Sequence, residues 1–155
     1  MGIKIETKVM SKDDTKELKV MSENDIEEIF YLEKQLFEDP WSMSILTNCL
    51  TYSTYFCLVA REENQIIGYL ISQIVCGEGE IHRIGVLPSY RRRGIANCLM
   101  EEFINQNCET YLLEVRPSNE GAVSLYKRWG FEVIDTRKNY YHNPLEDAWI
   151  MCKHS

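Results

Sequence analysis

Three arginines, a glycine and a small residue stand together at Arg91-Arg92-Arg93-Gly94-Ile95-Ala96, just after Pro88 ends an apolar run. A helix that begins here offers unpaired N–H groups and a partial positive charge, and anions bind such an end. Gly94 permits close backbone approach, Ala96 keeps the helix start narrow, and the arginines add charge. The loop suits a pyrophosphate; read alone, it is equally a solvated basic loop. It is neither a Walker loop nor a G-x-G-x-x-G loop, since the chain lacks both spacings.

Glu114 lies within Leu112-Leu113-Glu114-Val115-Arg116, an unfriendly place for a charge. Partial burial there would make it a better base near neutral pH. Strand alternation would instead put it on a solvent face with Leu112 and Arg116. Tyr126 follows twelve positions later on an apolar helical face, where a phenol either packs with its hydroxyl bonded or protonates a departing group. Asn119 opens that helix, as a cap or as a ligand-binding amide. Cys98 and Cys108 raise the option of covalent catalysis, but no paired base is visible beside them.

The elements that must position these groups are legible in the periodicity. Residues 19–21 predict a short strand, and Ser22 with Asp25 resembles a capping box. Ile26, Ile29, Phe30 and Phe37 share a helical face, broken at Asp39-Pro40. Ser42 caps a second helix through Leu50. Residues 55–60 and 66–75 read as a hairpin, and 80–87 as a third long strand. Ala96, Leu99, Met100 and Phe103 mark a third helix, residues 111–115 a strand, and Ala122, Leu125, Tyr126 and Trp129 a fourth helix closed by Gly130. Residues 131–141 and 147–153 read as the last two strands. The expected class is mixed α/β (α+β), with a largely antiparallel sheet of about seven strands and about four helices.

The 155 residues suit one domain, with residues 1–17 as a flexible extension and 18–155 as the folded unit. A net charge of -7 disfavours a nucleic-acid partner. The six cysteines form no C-x-x-C pair and suggest reduced thiols in a cytoplasmic protein without a metal. No apolar run approaches a membrane span, no signal-peptide core is present, and Glu6 spoils a myristoylation pattern.

Taken in order, Arg91 to Ala96, Asn119, Ala122, Leu125-Tyr126 and Gly130-Phe131 resemble the acetyl-CoA motifs of the GNAT superfamily of N-acetyltransferases. Asp39-Pro40-Trp41-Ser42, Leu113 to Asn119, Arg137-Lys138-Asn139-Tyr140-Tyr141 and Glu146-Asp147-Ala148 are similar to the bacterial ribosomal-protein alanine N-acetyltransferases, the RimI type. The polar stretch Ile81-His82-Arg83-Ile84 departs from that pattern. The resemblance implies a GNAT-like fold and an acetyl-CoA-dependent enzyme that acetylates a protein N-terminus, with a ribosomal protein ending in alanine as the expected acceptor. A lysine or small-amine acceptor is the alternative. It further implies that Ile84, Gly85 and Val86 bind the pantetheine arm and that Arg91, Arg92, Arg93, Gly94, Ile95 and Ala96 hold the pyrophosphate. Asn119 would contact the cofactor, with Glu114 as general base and Tyr126 as general acid. Trp41 either anchors the turn between two helices or borders a peptide cleft. Tyr140 and Tyr141 are candidates for the same cleft, and strand alternation allows only one of them to face it.

Overall fold

The apolar runs and alternating segments become one mixed sheet with helices on both faces. The structure, a computed structural model, describes residues 8–9 and 16–155. The strands are β1 (Lys8–Val9), β2 (Lys16–Val20), β3 (Tyr55–Glu62), β4 (Gln65–Val75), β5 (Glu78–Val86), β6 (Thr110–Val115), β7 (Glu132–Tyr141) and β8 (Glu146–His154). The helices are α1 (Ile26–Leu36), α2 (Met43–Thr51), α3 (Ile95–Ile104) and α4 (Glu120–Arg128). The sheet order is β1-β2-β3-β4-β5-β6-β8-β7, and only the β5–β6 pair is parallel. Beside the two-residue β1, seven strands of five or more residues match the expected number.

Local chemistry explains the elements. Residues 66–72 of β4 are all buried, because the strand is covered on both faces, and so it reads as a continuous apolar run. Cys76 and Gly77 both have positive φ, as a two-residue turn matched to strand twist requires. Ser22 and Asp25 do form a capping box, and the Ser42 hydroxyl accepts from the Ile45 N–H. At the end of α4 the Phe131 N–H donates to the Tyr126 carbonyl and Gly130 takes a φ of 92°, a Schellman closure.

On one face Phe103 of α3 packs against Tyr111, with ring centroids 5.2 Å apart, over the space that Gly79 leaves open. On the other, Leu36 of α1 lies over Gly85. The first strand of the expected fold begins earlier than residue 19, since Lys16 already pairs with Glu62. Most of the proposed extension, residues 1–7 and 10–15, lies outside the described residues. Cys49 and Cys57 are buried, and burial pushes their thiols up to about 11 and about 12, so both remain protonated and unreactive. No described helix is long and apolar enough to cross a membrane.

Candidate active site

The site opens where two parallel neighbours part. β5 and β6 pair only from Glu78↔Thr110 to Ile81↔Leu113. Beyond that point β5 keeps its partner β4 to Gly68↔Val86, and β6 keeps β8 to Val115↔Trp149. A bulge bends β5 at the parting: Ile71 faces Arg83 and Ser72 faces Ile81, which leaves His82 as the extra residue. The Leu87 N–H donates to the Ile67 carbonyl at 2.9 Å. By antiparallel alternation Gly85 therefore also points its main-chain groups toward β4, while Ile84 and Val86 point theirs into the gap. The Arg91 Nε reaches the Val86 carbonyl from that side at 3.1 Å.

A cleft of about 610 Å³ runs along this edge. Nine of the ten residues expected at the cofactor line it: Ile84, Gly85, Val86, Arg91, Arg92, Gly94, Ile95, Ala96 and Asn119. Arg93 is not among them; its guanidinium lies 5.3 Å from the Tyr90 ring centroid. Gly94 caps α3 with a φ of 82°, and nothing lies within 4 Å of where its side chain would be. Arg92 also has positive φ, at 63°. Two left-handed residues around the helix start turn main-chain N–H groups into one concavity, which is an anion nest. Asn119 caps α4, its side chain accepting from the Ala122 N–H at 3.2 Å, so its capping role is realised at the cleft wall.

Glu114 sits at the other end of the gap. Parallel register puts Glu80 beside Leu112, so Glu114 shares their face, opposite α3. Alternation thus holds, but this face is not open solvent. Arg137 reaches over it and pairs with Glu114 at 3.0 Å, and the Glu114 side chain is 22% exposed. Tyr140 also lies close to Glu114, and that carboxylate first, then burial, raises the phenol's pKa. Tyr140 and Tyr141 do not take opposite faces, contrary to simple alternation: their ring centroids are 5.0 Å apart. Asn139, at a φ of 52°, interrupts the strand between Arg137 and Tyr141.

Tyr126 is buried, with its ring 5.9 Å from that of Phe131. Burial first, and then the charge of Tyr141, push its pKa up, which keeps it in the protonated form a proton donor needs. Burial and the charge of Glu114 push Tyr141 up to about 12. The charge of Tyr141 acts on Tyr126 and that of Glu114 acts on Tyr141, so the three groups are electrostatically linked.

The polar residues of β5 build the wall. The fully buried Glu33 accepts from the Tyr69 hydroxyl at 2.5 Å, from the Trp41 N–H at 2.9 Å and from Arg83 Nε at 3.2 Å. Arg83 also donates to the Asp39 carbonyl, and its guanidinium lies 4.2 Å from the Phe37 ring and 5.1 Å from the Trp41 ring. Trp41 is half-buried on this scaffold and faces His82 at 6.2 Å, as a turn anchor would; it is not among the residues lining the cleft. His82 lies 3.2 Å from Gln73 Oε1 and 5.9 Å from the Tyr55 ring. Burial lowers its pKa, against the opposing charges of Glu80 and Glu114. Across the cleft, Arg116 donates to the carbonyls of Pro144 and His142, and Glu146 accepts from the Ser118 N–H and hydroxyl. Glu33, His82, Arg83 and Glu146 were not assigned from sequence. The Glu33 signal was present: it falls seven residues after Ile26 and four after Ile29, on the apolar stripe.

The comparisons with known proteins agree with this geometry. The Acetyltransferase (GNAT) family profile matches residues 23–131. A [ribosomal protein bS18]-alanine N-acetyltransferase of Haemophilus influenzae is 39% identical over 131 residues, covering 80% of this chain and 88% of that protein. The N-alpha-acetyltransferase RimI of Mycobacterium tuberculosis is 33% identical over 131 residues, covering 80% and 83%. The crystal structure of the ribosomal-protein-S18-alanine N-acetyltransferase from Escherichia coli superposes with a TM-score of 0.83 at 28% identity, covering 90% of this chain and 93% of that one. With a family match over most of its length and relatives above 30% identity, the chain belongs to the GNAT family of acetyltransferases.

Proposed function

We propose that residues 18–155 form one catalytic domain that transfers acetyl from acetyl-CoA to the α-amine of a protein N-terminus, with a ribosomal protein beginning in alanine as acceptor. One observation carries the reading: the unpaired edge at Ile84 and Val86 runs from the positive-φ start of α3 at Gly94 to the point where β5 leaves β6, the strand that carries Glu114. The relatives named for bS18 alanine acetylation support the acceptor. The residues present fit the cofactor, because the nest suits a pyrophosphate and the strand edge suits an amide-bearing arm. Such a reaction places the protein in the cytoplasm; it needs no metal, nucleic acid or membrane.

Both substrates bind together. Glu114 takes a proton from the incoming ammonium, and the free amine attacks the thioester carbonyl. A main-chain N–H at Val86 stabilises the oxyanion, which forms only on the reaction path. Collapse expels the coenzyme A thiolate, which takes the Tyr126 proton, and the surplus proton of the new amide nitrogen passes through solvent back to the phenolate. An α-amine has a pKa of about 8 against about 10.4 for lysine, so freeing it at neutral pH is about 3 kcal/mol easier.

The test is mass spectrometry of products from peptides with alanine, serine or methionine ends, offered beside internal-lysine peptides and polyamines. Acetylation of the alanine α-amine is the expected result. Preferential acetylation of lysine or polyamine would replace it with the alternative acceptor. A second expectation concerns the nest. Gly94→Val meets no neighbour, but a β-branched residue in the left-handed region costs about 1–3 kcal/mol and turns the N–H groups away. The KM for acetyl-CoA should rise at least about tenfold, with kcat at saturation little changed, in line with loss of uniform binding.

A further inference from the structure

We propose that Asp147 is a positioning residue for proton transfer: by holding a bulge in β7, it sets Arg137 and Tyr140 over the Glu114 carboxylate. This inference rests on the reading of Glu114 as the base. In β7, Arg137 faces Ala148 and Tyr141 faces Glu146, so residues 138–140 together oppose the single residue Asp147. Asp147 Oδ1 accepts from the Asn139 N–H at 2.8 Å, and its Oδ2 pairs with Lys138 at 3.4 Å. Asn139 takes a left-handed conformation at this bond.

The geometry follows from the bulge. In a regular strand, residues three apart lie on opposite faces, so Arg137 and Tyr140 could not both reach Glu114. Here the Arg137 guanidinium lies 5.7 Å from the Tyr140 ring centroid and 3.0 Å from Glu114. Arg137 is 54% exposed, so its aim depends on the backbone path together with its contacts to Tyr140 and Glu114. The Asn139 N–H, more than the Lys138 charge, holds the Asp147 carboxyl below its ordinary range, which marks the backbone bond as its main contact. Around Glu114 stand Arg137, Tyr140 and Tyr141 from β7, with Glu80 and His82 from β5. The bulge thus brings Arg137 and Tyr140 to the same side of the strand, where Arg137 pairs with the Glu114 carboxylate and aims it.

The experiment compares Asp147→Ala, Asp147→Asn, Lys138→Ala and Glu114→Gln in the full chain. It records kcat and the acetyl-CoA KM. Asp147→Ala should lower kcat at least about tenfold, because Arg137 no longer aims the Glu114 carboxylate. The acetyl-CoA KM should stay within twofold. Asp147→Asn should restore most of kcat, since its amide oxygen still accepts from Asn139. Lys138→Ala, which removes only an exposed charge, should match the parent. A kcat loss in Asp147→Ala that Asp147→Asn does not restore overturns the proposal, as does Lys138→Ala reproducing the loss. Should Asp147→Ala not fold, Asn139→Val loosens the same turn from the other strand and is judged by the same criteria. Full activity of Glu114→Gln would remove the base reading and this inference together. An inactive Glu114→Gln beside a fully active Asp147→Ala would remove the positioning role alone.

Discussion

Glu114→Gln is expected to lower kcat by about 10²- to 10³-fold across neutral pH, the range of a lost general base. The amide keeps the shape of the side chain and cannot take the proton. Its partner Arg137 is exposed and simply becomes hydrated, so the fold should hardly notice. Glu114 is not among the residues lining the cofactor cleft, so the acetyl-CoA KM should move less than twofold. Steady-state kinetics with each substrate varied in turn separates these effects. Unchanged turnover would exclude Glu114 as the proton acceptor.

The largest stability effect is expected at Glu33. Glu33→Ala leaves the nearly buried Arg83 with only the more distant, exposed Asp39 carboxylate, and also strips partners from the Tyr69 hydroxyl and the Trp41 N–H. Breaking a buried pair from one side costs about 3–5 kcal/mol. In a domain of this size that corresponds to roughly 10 °C in Tm. Urea unfolding at constant m-value measures it. The same substitution frees the loop at Asp39 and Trp41, so the peptide KM should rise as well. Glu33→Gln combined with Arg83→Met should recover part of the loss, because it removes both charges together. A loss below about 1 kcal/mol in Glu33→Ala would mean that the network contributes little to stability.

The order of strands and helices was readable because its signals are local. Cap residues, an apolar stripe of period 3.6 and a Gly at the end of α4 are each decided within a few positions. That Ile84 to Val86 and Gly94 to Ala96 line one cleft was readable for the same reason, since one loop and one strand edge bring them together. Arg93 was the exception: three adjacent arginines look alike in sequence, and only the loop path shows that the third stacks on Tyr90. The acceptor half resisted. Its shape depends on contacts between distant segments, such as Glu33 with Arg83, fifty residues apart, and Arg116 with the turn at Pro144. Alternation also misled at Tyr140 and Tyr141, because a bulge held from the neighbouring strand resets the period. The polar stretch at His82 and Arg83 looked like a departure from pattern. It is where β5 bends away from β6 and where the wall of the cleft is fastened.

The parting of β5 from β6 leaves raw edge inside a sheet rather than at its margin. Raw edges ordinarily recruit another chain, the first step toward aggregation. This one borders a cleft inside the fold, where a slender molecule carrying its own amides can meet it. On the proposed reading, the cofactor arm takes the place of an absent ladder rung, and the protein reserves its stickiest backbone for the one guest it is built to use.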